Sequence, residues 1–310
     1  MKPSEVSADR DSTGPLHSPF LHGVLAFVLW GCFPVYFKLV QAASPEEILS
    51  HRVIWSAAIL LGILFFTRRL HILRLTLSDR RRRSGLVLTS LLIAANWLVF
   101  IWAVNHQHAL EASLGYFICP LLNCLFGYLF YGERLRPLQK LALLFAILGV
   151  AIPLLSFSRI PWISLFLATS FALYGTLRKK IQADPIAGLC VETLILAPPA
   201  LLWLVWLAVT GQIAFISFGL SFSVYLIMAG VVTSLPLVLF ASAANRIPLT
   251  MVGFLQYIAP SLQFLLAVFA FGEAFTFNDA LTFTCIWAGL LIYSIDQIRR
   301  GAALRRPKIA

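Results

Sequence analysis

Charge is scarce in this chain. Asp, Glu, Lys and Arg make up 12% of its 310 residues and hydrophobic residues 60%, against roughly 25% charged in soluble proteins, so a water-soluble domain is excluded. Acids are scarcer still, 13 against 24 Lys and Arg. The five cysteines, Cys32, Cys119, Cys124, Cys190 and Cys285, lie in apolar segments without CxxC spacing; they indicate neither a disulfide framework nor a zinc site and read as small hydrophobes. The nearest approach to a phosphate-binding loop, Gly127 to Gly132, continues with Glu133 and Arg134 where lysine and a hydroxyl residue are needed, which excludes ATP hydrolysis by this chain. The clustered His, Asp, Cys or Ser that an intramembrane enzyme such as a lipid-modifying transferase requires is missing too, and there is no HxxxxD and no pair of interior carboxylates. His106 and His108 share a short loop without a third ligand, so no metal and no cofactor are expected.

What is present is apolar sequence in long runs. With ~20 apolar residues per crossing and a connector of ~8, the chain accommodates ten spans, at 20–40, 47–66, 86–104, 109–131, 138–156, 161–178, 187–209, 221–244, 248–271 and 278–296. The first is too long for a secretory signal and stays attached. Barrel strands would need short alternating segments, whereas these runs are apolar on all sides, so the expectation is an all-α membrane protein.

Basic residues set the orientation. With the N-terminus in the cytoplasm, all 24 Lys and Arg except Lys38, Arg52 and Arg159 fall on the cytoplasmic side, together with the C-terminus. The net charge of +11 is therefore a topology signal of an inner membrane protein. The basic 68–83 segment lacks interleaved aromatics, which favours contact with anionic membrane lipid over nucleic acid.

A shift of 140 residues superposes Phe100 on Phe240, Asn105 on Asn245, Pro120 on Pro260, and Gly132-Glu133 on Gly272-Glu273. The same register carries Pro45 onto Pro185 and Lys38 onto Arg178. Apolar composition explains matching Leu and Ile but not matching Asn, Pro and Gly-Glu. The chain thus divides into a polar tail (1–19), a first five-helix repeat (20–156), a second (161–296) and a basic tail (297–310). Five is odd, so the second repeat enters the membrane from the opposite face, and two inverted five-helix repeats enclosing a central site are the architecture of an alternating-access transporter.

The segments HRVIWS (51–56), NHQHALEASLGYF (105–117), the GER after Tyr131, SFALYGTLRKK (170–180) and TSLPLVLFASAANRIPLTMVGFLQYIAP (233–260) resemble the RarD group of EamA-type proteins in the drug/metabolite transporter superfamily. The likeness runs from about Phe20 to Asp296. It implies a ten-helix inner-membrane carrier that moves small metabolites, amino acids or drugs, as exporter or exchanger, by secondary transport. The group's label connects it with chloramphenicol sensitivity without defining a substrate, and the resemblance implies no residue roles.

The residues themselves suggest where a small-molecule substrate sits. Tyr116, Pro120 and Asn123 stand at i, i+4 and i+7 on one face of the fourth span, and the shift places Gln256, Pro260 and Gln263 identically on the ninth. Polar groups at mid-membrane face the bundle interior, and each proline frees a carbonyl one turn upstream, which makes Pro120 and Pro260 candidate hinges. Helix–helix hydrogen bonding with ordinary kinks is the alternative for either stripe alone. Asn96 and Trp97 on the third span, Trp30 on the first and Tyr174 on the sixth are candidate walls, packing or interface-belt roles being the alternative.

Two full charges lie within spans, Arg52 in the second and Glu192 in the seventh, each costing roughly 3 kcal/mol to insert near a helix centre. Inversion sets them at opposite depths, ~15 Å apart along the normal of a ~30 Å core, so they do not pair. The expectation is two gates, Lys38, Arg52 and Glu111 at the outer side and Arg178 with Glu192 at the inner side, against static neutralisation or snorkelling. Glu192 is the one acid well inside a span and hence the carboxylate available for proton coupling. Ala142 and Ala146 on the fifth span and Cys285 and Gly289 on the tenth have small-xxx-small spacing, which serves a homodimer face or packing within the chain. A non-transporting accessory protein is the remaining rival function.

Overall fold

The computed structural model describes residues 19–106, 108–155, 160–270, 272 and 276–305, and among them every regular element is a helix. Arg159 and Glu273, and the polar tail through Ser18, lie outside the described residues. The first apolar run forms α1 (Pro19–Gly31) and α2 (Phe33–Leu39). The break has a covalent cause: Pro34 has no N–H to offer the Trp30 carbonyl, and Gln263 Nε2 donates to that carbonyl instead, at 3.1 Å. Next come α3 (Pro45–Phe66), the short α4 (Leu70–Ser78) and α5 (Arg80–Asn105), which begins inside the arginine run. They are followed by α6 (Ala109–Tyr131), α7 (Pro137–Leu155), α8 (Trp162–Ile181), α9 (Pro185–Val209) and α10 (Leu220–Arg246). The ninth run divides into α11 (Leu249–Gln256) and α12 (Ile258–Leu265), closed by a π turn (Leu266–Ala270), and α13 (Phe277–Arg305) is the last element.

Helix starts follow from local chemistry. Pro45 and Pro185 each occupy the first helical position, where a missing N–H costs nothing. The residue before each caps the helix: Ser44 Oγ accepts from Glu47 N–H at 3.2 Å, and Asp184 Oδ1 from Ile186 and Ala187 N–H at 3.0 and 2.9 Å. Helix α6 ends on Gly132 at φ 63°, a left-handed cap that favours glycine.

Among the described residues nine helical passes are long and apolar enough to cross a membrane, with α1–α2 and α11–α12 each counted as one. The expected span that this measure leaves out is the sixth, 161–178, which coincides with α8. Its 20 residues reach ~30 Å, but Arg178, Lys179 and Lys180 fill its last turn and dilute its hydrophobicity. Large side chains such as Phe66, Leu155 and Val209 are exposed on the outside of the bundle, as a lipid-facing surface requires.

The helix pairings come in matched sets. α1 packs on α10 and α12, while α8 packs on α5 and α6; α3 packs on α10 and α9 on α5; α3 also meets α9, α6 meets α11, and α7 meets α13. At α7–α13 the match is residue by residue. A Cβ on Gly149 would lie 3.0 Å from Thr282 O and 3.2 Å from Cys285 Cβ, and one on Gly289 2.8 Å from Ala142 O and 3.5 Å from Phe145 Cβ. The small residues of these two helices therefore pack against each other within the chain. Tyr257 Oη donates to the carbonyl of Phe117, 140 positions away, at 3.2 Å.

The two ends of the bundle are closed differently. At the end bearing the basic connections, Glu133 accepts from Leu249 and Thr250 N–H at 2.7 and 2.8 Å, Arg136 pairs with Asp296, and Lys179 donates to the carbonyls of Ala244 and Ile247. At the other end Glu47 accepts from Ala214 and Phe215 N–H at 2.9 Å each, and Glu111 Oε1 from Ile163 N–H at 3.0 Å.

Candidate functional site

A cavity of about 320 Å³ lies among α1, α2, α3, α5, α6, α8, α10, α11 and α12. Both helix breaks border it, α1–α2 through Trp30, Phe33 and Pro34 and α11–α12 through Gln256 and Ala259. Trp30, Asn96, Trp97, Tyr116, Gln256, Pro260, Gln263 and Arg52 all line it. Half of the remaining wall is aromatic, from Phe27, Phe33, Phe37, Phe100 and Phe171, and no Asp or Glu belongs to it.

The polar lining is held in place from behind. Asn96 Nδ2 donates to Leu167 O and Ser170 Oγ, each at 2.9 Å, which ties α5 to α8. Asn123 is buried and donates to Gln256 Oε1 at 2.7 Å, so it stands behind the wall and orients the Gln256 amide. Tyr116 keeps 45% of its surface accessible and packs edgewise on Phe100. Pro120 is buried in a helix that runs unbroken through it, its carbonyl crowded by α11, where a Cβ on Gly253 would lie 2.6 Å from Pro120 O. Pro260 sits three residues after the α11–α12 interruption at Tyr257.

Arg52 is fixed on two sides. Its Nε donates to Thr233 Oγ1 at 2.8 Å, and its guanidinium lies over the Trp97 ring, 5.2 Å from the centroid. Among the described residues no carboxylate forms an ion pair with it. Lys38, in the last turn of α2, is exposed, and Glu111 is buried, with His108 Nδ1 3.8 Å from its Oε2, where it caps α8.

Between the cavity and the basic end lies a second constellation. Glu192 is fully buried and accepts from Thr89 Oγ1 at 2.6 Å, Tyr174 Oη at 3.1 Å and Arg178 Nη1 at 3.4 Å, joining α5, α8 and α9. Gly188 makes room for the guanidinium, since any Cβ there would overlap it. Tyr174 is thereby turned away from the cavity, and its ring stacks on Phe240 at 6.1 Å. Phe240 in turn touches Phe27, Trp30 and Phe171 of the cavity wall. Packed aromatic rings therefore separate cavity from ion pair. Thr89, Thr233, Ser113 and Phe171 escape sequence reasoning, because single hydroxyls and phenylalanines in apolar helices carry no periodic or pairwise signal.

Long apolar helices around a solute-sized interior cavity define a multi-pass membrane protein. The model of the EamA-like transporter family matches residues 18–155. An uncharacterized transporter of Vibrio cholerae serotype O1 is 47% identical over 288 residues, covering 93% of this chain and 95% of that protein. Protein RarD of Escherichia coli K12 is 42% identical over 278 residues, with 90% and 94% covered. The chloramphenicol-sensitive protein RarD of Pseudomonas aeruginosa is 32% identical over 285 residues, with 90% and 94% covered. A solved crystal structure superposes with a TM-score of 0.68 at 20% identity over 89% of this chain and 97% of that one, a likeness of fold. The chain belongs to the EamA-like transporter family and, within it, to the RarD group of the drug/metabolite transporter superfamily. The family and several of the relatives, those of Vibrio cholerae and Bacillus subtilis among them, are named as transporters.

Proposed function

We propose that this protein is a secondary transporter of the inner membrane, exporting or exchanging small metabolites, amino acids or amphiphilic drugs by alternating access between two inverted five-helix halves. The observation that carries the reading is the cavity at the meeting of the halves, with Trp30, Trp97 and Tyr116 from the first and Phe171, Gln256 and Gln263 from the second. The matched helix pairings and the reciprocal Gly149 and Gly289 contacts support a two-fold relation of the halves. Five passes in each then make the relation an inversion. The concentration of Lys and Arg at one end supports cytoplasmic termini.

In this reading the Arg178–Glu192 pair and the rings above it close the cytoplasmic side, and the cavity faces the periplasmic side. Pro260 and the α1–α2 break supply the bending points, and Asn123 with Gln256 links α6 to α11 through the movement. Glu192 is the coupling carboxylate: a proton placed on it removes the charge that holds Arg178, with Tyr174 and Thr89 as the other groups facing it.

The test is counterflow in proteoliposomes with labelled amino acids, small metabolites including monocarboxylates, and amphiphilic drugs. Saturable uptake accelerated by the same compound on the opposite side is expected for at least one of them. Non-saturating leakage alone, or no flux of any compound, overturns the reading.

A further inference from the structure

The cavity wall has one full charge, Arg52, and no carboxylate among the described residues pairs with it. Arg178 shows what this bundle does with a buried guanidinium it neutralises: Glu192 stands 3.4 Å away with both side chains sealed from solvent. Arg52 is treated differently. It lies in an apolar span, where an arginine is costly to insert, it faces a cavity whose lining contains no acid, and no carboxylate among the described residues pairs with it.

Its geometry is that of a receptor. Thr233 takes the Nε proton at 2.8 Å and the Trp97 ring covers one face of the guanidinium, so plane and direction are set by contacts on α5 and α10. No acceptor among the described residues meets the two terminal nitrogens. A planar fork with both terminal N–H groups free matches the two oxygens of a carboxylate. Tyr116, with a hydroxyl that makes no hydrogen bond to the described residues, lines the same cavity as Arg52 and offers a further donor. Apart from the uncharged Asn96, Ser113, Gln256 and Gln263 the rest of the wall is ring and hydrocarbon, and at ~30 Å³ per water-sized group the cavity holds about ten of them. An ammonium group would find no carboxylate there.

We propose that Arg52 is the recognition point for the carboxylate of the transported solute, and that this solute is an organic monoanion with an apolar body and no amino group. The proposal rests on the transporter reading above and narrows its substrate class. Arg52 contributes orientation as well as charge: the carboxylate takes the guanidinium edge, and the apolar body extends toward Trp30 and Phe171.

Three probes of nearly equal size separate the alternatives: 3-phenylpropanoate, its uncharged amide, and the zwitterion phenylalanine. Binding of each labelled compound to the full-length protein in nanodiscs is measured by equilibrium dialysis. The acid is expected to bind about tenfold or more tightly than the amide and the zwitterion, as a charge-assisted bidentate contact implies. In Arg52→Gln, which keeps a group able to reach Thr233, the preference for the acid over the amide is lost. Thr233→Val narrows that preference, so the proposal stays testable even if Arg52→Gln fails to fold. Equal binding of acid and amide by wild type, an acid preference that survives in Arg52→Gln, phenylalanine binding as tightly as the acid, or no binding of any probe overturns the proposal. Flux separates it from the reading it rests on. Acid bound with the Arg52-dependent preference but never carried across proteoliposomes sinks the transporter and keeps the anion site. Carriage of neutral compounds or zwitterions without acid preference does the reverse.

Discussion

Glu192 and Arg178 are both sealed inside the bundle, and their energetics are those of a buried pair, in which removing one partner costs more than removing both. Glu192→Gln keeps one acceptor oxygen where the carboxylate offers one to Thr89 and another to Tyr174, and it leaves the guanidinium without a countercharge. A loss of ~3–5 kcal/mol is expected, read as a lower melting temperature of the detergent-solubilised protein. The double variant Glu192→Gln with Arg178→Gln recovers most of that loss, because no bare charge remains. Additive melting shifts in the two single variants would show that the pair is not coupled. The spacing of Glu192 and Arg178 in the sequence already put both near the same end of the bundle, since depth follows from counting residues into a span. The tyrosine was legible only as an aromatic of unknown direction. Its turn toward Glu192, away from the cavity, depends on neighbours from α5 and α9 that no count supplies.

Helices in this bundle meet through backbone close approaches, and α7–α13 is the clearest, with the glycine of each helix set against the backbone of the other. Gly149→Leu and Gly289→Leu each force the two helices apart. Matched drops in thermal stability of a few kcal/mol, the scale of overpacking in a tight core, are expected because the two contacts are equivalent. A drop in one variant alone would break the equivalence. Here the 3.6-residue periodicity made the small residues visible but left open whether they face a second copy or a neighbour in the same chain, and packing chose the neighbour. Breaks were partly legible. Pro260 announced a disturbance one turn upstream, and the interruption falls at Tyr257, because a proline removes the hydrogen bond to the residue four before it. Pro34 was passed over inside a run that reads as one span, since apolar composition is insensitive to a single missing N–H. Pro120 shows the converse, a proline carried within an unbroken helix that Gly253 of α11 presses against.

For the whole molecule, the proposed transport cycle, with the cavity facing the periplasm and the ion pair closing the cytoplasmic side, predicts sided access. In a cysteine-free background, Ser113→Cys on the cavity wall is expected to react with a membrane-impermeant maleimide from the periplasmic side, whereas Ala244→Cys, fully buried near the basic end, is silent from the cytoplasm. Neutralising Arg178 and Glu192 together raises cytoplasmic labelling of Ala244→Cys. Identical labelling from both sides before and after neutralisation eliminates gating by this pair. Membrane residence, helical spans, the 140-residue register and the placement of nearly all basic residues at one end were set by the sequence alone, because composition, run length and charge position act through solvation, which needs no partner. Only the tertiary structure decided which polar groups satisfy each other and which face empty space: that Asn123 stands behind Gln256, that Arg178 meets Glu192, and that Arg52 meets no acid among the described residues. Lipid and a cavity wall both accept apolar side chains, so a helix cannot declare from its own residues which face looks outward. That choice is made when the neighbouring helix arrives.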